Sequence, residues 1–379
     1  MILDLLAYVL LPCLLLVGAV RYFPMPIRDR YVLKKFSSLF FLAFTFEVAL
    51  ILIVRLGDRE LGTIISEQQG IRQGLLLFLY KAPVRILEVV PAAGMLASFF
   101  TIGSLTRSNE LTALRSVGTD LYRLIAPVLV FALCCCVITV VFVDRIVAPA
   151  NHRAALIDSK RTHATEQHIV YREASGAFCM IQSLDLGREI ARRITFYEFD
   201  ADVLSREVYA ATAKWSDGQW HLSDGWVRRY GESGVSGGTF TTFEALDRPL
   251  DADLRVLIAS ASDPAGMSFT ELRSVIAFKK RAGLAARREI VRYHHNIAYP
   301  FALLVGTMLS LPLSMQFGRH AIAIGFPATM LMSFLYWGLA IATFEAMGEN
   351  GRIPAALAPW VANIVFGGIA VMLFRGVRR

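Results

Sequence analysis

Charged residues are scarce in this chain, and the motifs of soluble enzymes are missing from it. Only 18% of the 379 residues are charged, 55% are hydrophobic, and the mean hydropathy is +0.50. The five cysteines include no CxxC pair and no metal-ligand spacing, which argues against a disulfide framework or a metal site. No cofactor is expected. No GxxxxGK[ST] phosphate loop and no nucleic-acid-binding module are visible. These absences point away from soluble enzymes and towards a membrane protein.

Long apolar runs crowd both ends of the chain. They cover about residues 2–20, 36–54, 86–105, 124–143, 297–313, 322–344 and 355–374. Such runs approach the ~20 apolar residues that a helix needs to cross a bilayer. A shorter apolar segment, 75–80, is expected to end at Lys81 and Pro83. Residues 1–24 are interpreted either as an extra membrane helix or as an artefact of start-site choice, because Met25 opens a plausible N-terminus of its own.

A hydrophilic block between these runs has the pattern of β-strands. Short segments rich in β-branched and aromatic residues occur at 169–171, 178–181, 194–199, 208–213, 239–243 and 254–258. Asp217-Gly218 and Asp224-Gly225 are hairpin signals. The block therefore predicts a sandwich or jelly roll. Ser268, with Glu271 three residues later, predicts a capping box that begins a following helix.

The distribution of basic residues predicts the orientation. The block from Arg153 to Arg273 holds 14 basic and 18 acidic residues, so the net charge of +8 comes from the flanks of the apolar runs. The positive-inside rule places those flanks in the cytoplasm and the β block outside. They contain five basic residues between 21 and 35, and then Arg107, Arg115, Arg123, Arg319, Arg375, Arg378 and Arg379.

One basic run does not follow this rule, because it would lie outside, just before the span at 297. It consists of Lys279, Lys280, Arg281, Arg287, Arg288 and Arg292. We interpret it either as a solvated basic helix or as a cationic collar at the outer membrane surface.

The segment 107–118, between two spans, has the features of a short amphipathic helix. Ser108 is a suitable N-cap, Glu110 favours the positive end of a helix dipole, and Gly118 is a natural C-terminal stop. One face carries the apolar residues Leu111, Leu114 and Val117. The segment is interpreted either as an interfacial helix or as a docking helix for a cytoplasmic partner.

With its surroundings, this segment resembles the lipopolysaccharide export permease family, the LptF/LptG membrane subunits. The resemblance runs over nearly the whole chain from Met25, and the order and spacing of several motifs carry it. These are Arg30 to Phe36, Pro83 with Pro91, Ser108 to Gly118, Val147 to Asn151, Ala211 to Trp215, Trp220 to Gly225, Met267 to Leu272, Leu311 to Leu313 with Phe317 to Arg319, and the last span opening at Pro354. The run at 2–20 departs from the family pattern.

The resemblance implies an α-helical membrane protein of the bacterial inner membrane, with six core transmembrane helices. A periplasmic β-jelly roll would be inserted between helices 3 and 4. The expected parts are 1–24, 25–149 with helices 1–3 and a coupling helix at 107–118, 150–266 as the jelly roll, 267–293 as a connecting helix, and 294–379 with helices 4–6.

The resemblance also implies a transport function with several partners. A second homologous permease would complete a heterodimer, a cytoplasmic ATPase dimer would drive it, and periplasmic jelly-roll bridge proteins would receive the cargo. The cargo would be lipopolysaccharide or a related anionic glycolipid, extracted from the inner membrane for export to the outer membrane. In the coupling helix the candidate ATPase contacts are Glu110, Leu111, Leu114 and Arg115.

Charged residues near the first spans are candidates for binding the lipid. Arg55, Arg59, Lys81 and Arg85 are predicted to include contacts to lipid phosphates, with snorkelling and interface anchoring as the alternative. Glu47 and Glu88 lie within spans, where a charge usually faces a partner or a cavity. Glu47 could pair with Arg85, or Glu88 with Arg55. The sequence also leaves open whether these glutamates only hold helices together or bind the ligand.

Two other functions stay open on the sequence. One is a non-transporting scaffold or sensor that displays an outer β domain. The other is a lipid-modifying enzyme, for which His294-His295 with Glu289 nearby is the suggestive cluster.

Overall fold

The computed structural model describes most of the chain as two compact units. The described residues are 26–56, 71–116, 118, 121–161, 169–173, 176–185, 190–200, 203–216, 219–231, 238–249, 264–281 and 283–377. One unit combines residues 1–150 with 291–379, and the other comprises 151–290. The apolar run at 2–20 and the strand predicted at 254–258 lie outside the described residues.

Helices precede and follow the β-strands along the chain, and most of them belong to the first unit. Before the β-strands the helices are α1 Ile27–Leu56, α2 Ile71–Arg107, α3 Glu110–Ser116, α4 Leu121–Phe142 and α5 Ala148–Arg161, with a π-helical turn at Val143–Val147. After the strands come α6 Phe269–Arg281, α7 Arg287–Ala298, α8 Phe301–Phe317, α9 Ala321–Trp337, α10 Ala346–Glu349 and α11 Ala358–Val377. A 3-10 turn, Gly318–His320, separates α8 from α9, and a π-helical segment, Gly338–Glu345, joins α9 to α10.

Five stretches of the described residues are long and apolar enough to cross a membrane. They are Ile27–Val54, Gly74–Arg107, Tyr122–Ala154, Phe301–Glu349 and Ala358–Gly376. All five coincide with apolar runs in the sequence, so the predicted membrane class is confirmed at the level of helix length and composition.

Two predicted helix ends are wrong. α2 does not stop at Lys81 and Pro83 but continues through Pro83 and Pro91 for 37 residues. A proline inside a helix removes one backbone hydrogen bond, and here both proline rings are buried by packing, which offsets that loss. The span predicted at 124–143 also continues further, because α4 leads through the π-helical turn, which contains Asp144 and Arg145, into α5.

Aromatic rings hold α1 against α4. Phe36 and Phe40, one turn apart on α1, meet Phe131 of α4 edge to face, with ring centroids 5.7 and 5.6 Å apart. Such pairs add to the free energy of apolar burial. α2 and α8 approach closely through Gly94, where an added Cβ would collide with Leu303.

The second unit is built on one antiparallel sheet. Its strands are β1 Ile169–Arg172, β2 Phe178–Asp185, β3 Ile190–Asp200, β4 Val203–Ser216, β5 Gln219–Arg229 and β6 Phe240–Pro249, and they pair in the order of the sequence. This confirms the predicted β block as an antiparallel sheet. The described strands form a meander, so a jelly roll is not shown by their order.

One of the two predicted hairpin signals is wrong. Strands β4 and β5 pair up to Ser216 opposite Gln219, as expected around Asp217-Gly218. Asp224-Gly225, however, lies inside β5, with Gly225 opposite Ala210. Packing requires glycine there. A Cβ at position 225 would collide with the backbone oxygen of Tyr209 on β4 and with the ring of Phe243 on β6.

The sheet curls strongly, and Arg248 marks where its edges meet. Arg248, on edge strand β6, bonds Glu198 of β3 at 2.6 Å and Glu173, just after edge strand β1, at 3.1 Å. Strands in a flat sheet are ~4.8 Å apart, so β6 and β1 would be far beyond hydrogen-bonding distance. A polar cavity of about 640 Å³ lies at this seam.

Helix α6 covers the hydrophobic core of the sheet. Its predicted capping box is confirmed, since the Ser268 amide donates to Glu271 Oε2 at 2.8 Å and the Glu271 amide donates to Ser268 Oγ at 3.2 Å. Phe278 of α6 packs into the same cluster as Phe196 and Trp220 of the sheet. The capping box therefore fixes the start of the helix that closes this core.

Candidate coupling site

The candidate site is built around α3, the short helix between α2 and α4. It begins at Glu110 and ends at Ser116, inside the predicted segment. Asn109, rather than Ser108, is the residue before the first helical turn, and it has a positive φ of 59°. Gly118, with φ 76°, donates its amide to the Arg115 carbonyl at 2.9 Å, as expected for a helix stop.

The carboxylate of Glu110 is bound within its own chain. The Tyr31 hydroxyl donates to Glu110 Oε2 at 2.7 Å, although the two residues are 79 positions apart. The Ser108 hydroxyl donates to Oε1 at 2.7 Å, and Lys35 Nζ lies 3.6 Å from Oε2. Both carboxylate oxygens are therefore engaged, and two of the three donors come from the first turns of α1.

These donors stabilise the ionised form of Glu110. The hydrogen bonds from Tyr31 and then Ser108 hold the pKa of Glu110 below its ordinary value, and the charge of Lys35 acts in the same direction. The side chain is 35% exposed, so a charged group from a partner can still approach it.

The apolar face of α3 packs on its own bundle. Leu111 is only 6% exposed and Leu114 packs beside it against the hydrophobic core of the first unit. Arg115 is exposed on the other face. Of the four candidate contact residues, Leu111 and Leu114 thus seat the helix, while Glu110 and Arg115 remain accessible to a partner.

A second connection ties α3 to the end of α8. Arg319, in the 3-10 turn after α8, donates from Nη2 to Asn109 Oδ1 at 3.3 Å. The start of α1, the start of α3 and the turn after α8 therefore meet at one end of the bundle. We call this group, Tyr31, Lys35, Glu110, Asn109 and Arg319, the α3 anchor.

Only two of the four lipid-phosphate candidates have described side chains. Lys81 and Arg85 lie one turn apart on α2, whereas the side chain of Arg55 and all of Arg59 lie outside the described residues. Arg85 Nη1 pairs with Glu88 Oε1 at 2.7 Å, each side chain about one-third exposed. Arg85 therefore pairs along its own helix and not with Glu47.

Glu47 continues the stripe of α1 that packs into the bundle. Phe36, Phe40 and Ala43 are buried on that stripe, and Glu47 follows Ala43 at helical spacing. Its Oε2 is buried and, among the described residues, has no hydrogen-bond partner. A carboxyl group in such a place usually faces a cavity or a partner.

The histidine cluster considered for an enzyme is engaged in structural contacts. His295 Nδ1 lies 2.5 Å from Glu345 Oε1, and its ring stacks on Tyr299. Glu289 instead accepts from Lys279 Nζ at 2.5 Å. The two acids therefore bind different partners, and His295 with Glu289 does not form a catalytic pair.

The chain is a multi-pass membrane protein. It combines helices long enough to cross a membrane, a separate antiparallel sheet and a short helix anchored at one end of the bundle. The model of the family described as lipopolysaccharide export system permease LptF/LptG matches residues 30–376. This is nearly the whole chain, and the chain belongs to that family. A comparison with curated proteins gives no match.

Membership defines the chain as an inner-membrane transport permease rather than an enzyme. The family forms the permease of the lipopolysaccharide export system and works within an ABC transporter complex. Sequence reasoning found α3 but missed Tyr31 and Arg319 as its supports. No sequence pattern could pair residues so far apart, although both lie within motifs that carried the resemblance.

Proposed function

We propose that this chain is one of two homologous permease subunits of an ATP-driven exporter. The exporter extracts lipopolysaccharide, or a related anionic glycolipid, from the inner membrane and passes it to periplasmic bridge proteins. Removing acyl chains from a bilayer costs about 0.8 kcal/mol for each CH₂ group. Directed extraction therefore needs an energy source, which a separate cytoplasmic ATPase dimer supplies.

The α3 anchor is the observation that carries this proposal. A partner that pulls on Glu110 or Arg115 moves a helix whose hydrogen bonds reach the first turns of α1 and the turn after α8. Force applied at α3 is thereby delivered to two membrane helices at once. The basic residues Lys35, Arg107, Arg115 and Arg319 cluster along the chain segments at this end, which supports a cytoplasmic position.

Six spans are compatible with the helix lengths. The stretch Phe301–Glu349 has 49 residues, and a straight helix of that length would extend about 74 Å, more than twice the ~30 Å of a hydrocarbon core. Gly318, with φ 54°, interrupts it between α8 and α9. We therefore count α8 and α9 as separate spans, which gives six with the β unit between the third and fourth.

The β unit acts as the periplasmic receiver in this proposal. Its curled sheet, with a cavity at the Arg248 seam, supports a jelly-roll-like domain whose edges can continue into a bridge protein by strand addition. Lys81 and Arg85 are the described candidates for holding a lipid phosphate before transfer.

The decisive experiment reverses the charge of Glu110. Glu110→Lys should abolish lipid-stimulated ATP hydrolysis by the assembled complex while membrane insertion stays normal. Glu349→Lys, a charge reversal at another exposed glutamate, should leave that activity intact. A fully active Glu110→Lys complex would reject the coupling role and favour a non-transporting scaffold.

A second experiment tests the partners directly. Purification of the full chain from membranes in mild detergent should bring with it a small nucleotide-hydrolysing subunit and a second, similar permease. Recovery of the chain alone, under conditions in which it stays folded, would contradict the proposed assembly.

A further inference from the structure

Two aromatic rings meet where α4 begins and α11 ends. The ring centroids of Tyr122, in the first turn of α4, and Phe374, in the last turn of α11, are 6.2 Å apart. Both helices belong to the first unit, and both are long and apolar enough to cross a membrane. Because the start of one helix lies beside the end of the other, α4 and α11 run in opposite directions.

An exposed arginine follows each of these rings by one position, Arg123 after Tyr122 and Arg375 after Phe374. One position along an α-helix is a rotation of about 100°. Since the two helices are antiparallel, equal rotations along their own directions turn both arginines to the same side of the ring contact. Among the described residues, no carboxylate forms an ion pair with either arginine.

Each arginine stands at one end of a stripe of exposed apolar residues. The residues of a stripe recur at helical spacing from the arginine, so they lie on the same face of the helix as the arginine does. After Arg123 on α4 they are Ala126, Val130, Leu133, Val137 and Val141, and before Arg375 on α11 they are Ile364, Gly368, Val371 and Met372. In a membrane such stripes contact acyl chains, and an arginine at the end of a span reaches the level of the headgroups.

We propose that Arg123 and Arg375 together bind the phosphate of an anionic phospholipid, whose acyl chains lie along the two stripes. A guanidinium group donates several hydrogen bonds in a fixed plane and matches the geometry of a phosphate. An arginine alone at the end of a span anchors its helix by snorkelling. Two arginines from different helices, turned to the same side of one contact, offer donors to a single phosphate, and the exposed stripes complement the acyl chains below it.

The backbone that carries the two arginines is held by packing on its inner side. Phe374 is buried in the same hydrophobic cluster as Leu124 and Ile125 of α4, and both helices pack on α8. A lipid bound from the outer side therefore connects two helices whose ends are already fixed to each other. The site shares no residue with the α3 anchor or with the candidates Lys81 and Arg85, and it does not depend on which lipid is exported.

The test places photo-reactive benzoylphenylalanine at position 130 of the full chain in nanodiscs. Val130 is 55% exposed and lies about two turns from Arg123 on its stripe. The nanodiscs contain phosphatidylcholine with a minor fraction of phosphatidylglycerol, and mass spectrometry identifies the crosslinked lipids. Each basic residue near anionic lipid strengthens binding about fivefold, so we expect phosphatidylglycerol to be enriched at position 130 at least about fivefold over its share of the bilayer. The same probe at Ile364, 66% exposed at the far end of the other stripe, should show no enrichment.

Charge neutralisation identifies the residues responsible. The double variant Arg123→Gln and Arg375→Gln should lower the enrichment at position 130 to the level found at position 364. The matched double variant Arg145→Gln and Arg352→Gln should leave the enrichment unchanged, because these exposed arginines lie after the end of α4 and before the start of α11. Crosslinking to phosphatidylcholine at position 130 shows in each variant that α4 is still in the bilayer.

Two outcomes would overturn the proposal. One is an enrichment of phosphatidylglycerol at position 130 that is no greater than at position 364 when both arginines are present. The other is an enrichment that persists in the double variant Arg123→Gln and Arg375→Gln. The first outcome is measured with both arginines intact, so it does not depend on whether the neutralised variant folds. The nanodiscs contain neither the exported glycolipid nor an ATPase, so a failure here leaves the proposed transport function standing.

Discussion

The Tyr31 hydroxyl donates to the Glu110 carboxylate at 2.7 Å and thereby joins the first turns of α1 to the first turn of α3. α3 has only seven residues, too few for an isolated helix to be stable in water. Its position therefore depends on Leu111, which is buried, and on the hydrogen bonds to Glu110. Any partner that binds Glu110 competes with, or acts through, Tyr31 and Lys35.

Removal of the Tyr31 hydroxyl should loosen α3. A hydrogen bond to a charged group contributes about 1.5–3 kcal/mol, so Tyr31→Phe should raise amide hydrogen exchange in residues 110–116 by about tenfold or more. Hydrogen exchange with mass spectrometry on the full chain measures this. Tyr209→Phe, the same change within the sheet, should leave α3 unaffected. Unchanged exchange in α3 after Tyr31→Phe would show that the bond does not hold the helix.

Acidification should loosen α3 in the same way. The pKa of Glu110 is lowered in the folded chain, so the anchoring it contributes is complete above the unfolded value of about 4.3 and is lost as pH falls through the folded pKa. The hydrogen-exchange protection of the α3 amides, corrected for intrinsic exchange rates, should stay constant from neutral pH down to the pH range in which Glu110 becomes protonated. Below that range it should fall. Glu110→Gln should remove this pH dependence; a variant that keeps it would point to another group.

The contact at Gly225 should be intolerant of any side chain. Gly225→Ala places a Cβ against the Tyr209 carbonyl and the Phe243 ring, and overpacking of this kind costs about 1–3 kcal/mol. Pulse proteolysis of the full chain should show the β unit destabilised by that amount. Gly367→Ala in α11, where nothing lies within 4 Å of the new Cβ, is the control and should not destabilise the chain. Equal stability of the two variants would contradict the described register.

The stability of the β unit should depend on how many carboxylates the side chain at position 248 can bind. Arg248→Ala leaves Glu173, 5% exposed, and Glu198 without this partner, and breaking a buried pair costs about 3–5 kcal/mol. The free energy of unfolding of Arg248→Lys should lie between those of the unaltered chain and of Arg248→Ala, because an ammonium group cannot bridge two carboxylates in the way a guanidinium does. Urea unfolding followed by near-ultraviolet circular dichroism measures all three. Arg229→Ala, at an exposed position, should have little effect; a similar loss there would argue against the seam.

The elements were predictable wherever the signal is local. The length of the apolar runs predicted the membrane helices, and Ser268 with Glu271 predicted the start of α6. Local signals failed where packing outweighs propensity. Pro83 and Pro91 are buried inside α2 and do not break it. Asp224-Gly225 lies within a strand, where the neighbouring strands leave no room for a side chain at position 225. The strand at 254–258 and the jelly roll stay predictions.

The sequence by itself determined that this chain crosses a membrane, carries a β-rich unit and places a short amphipathic helix between two spans, since these depend on composition and on spacing within a few residues. Only the tertiary structure decided that Tyr31 holds Glu110 and that Arg248 links β6 to residues near β1 and on β3. The structure also selected the pair Arg85–Glu88, three positions apart on α2, over a pair of Arg85 with Glu47. The pairings of Tyr31 and Arg248 join positions far apart in the chain that packing brings together, so no pattern of neighbouring residues indicates them.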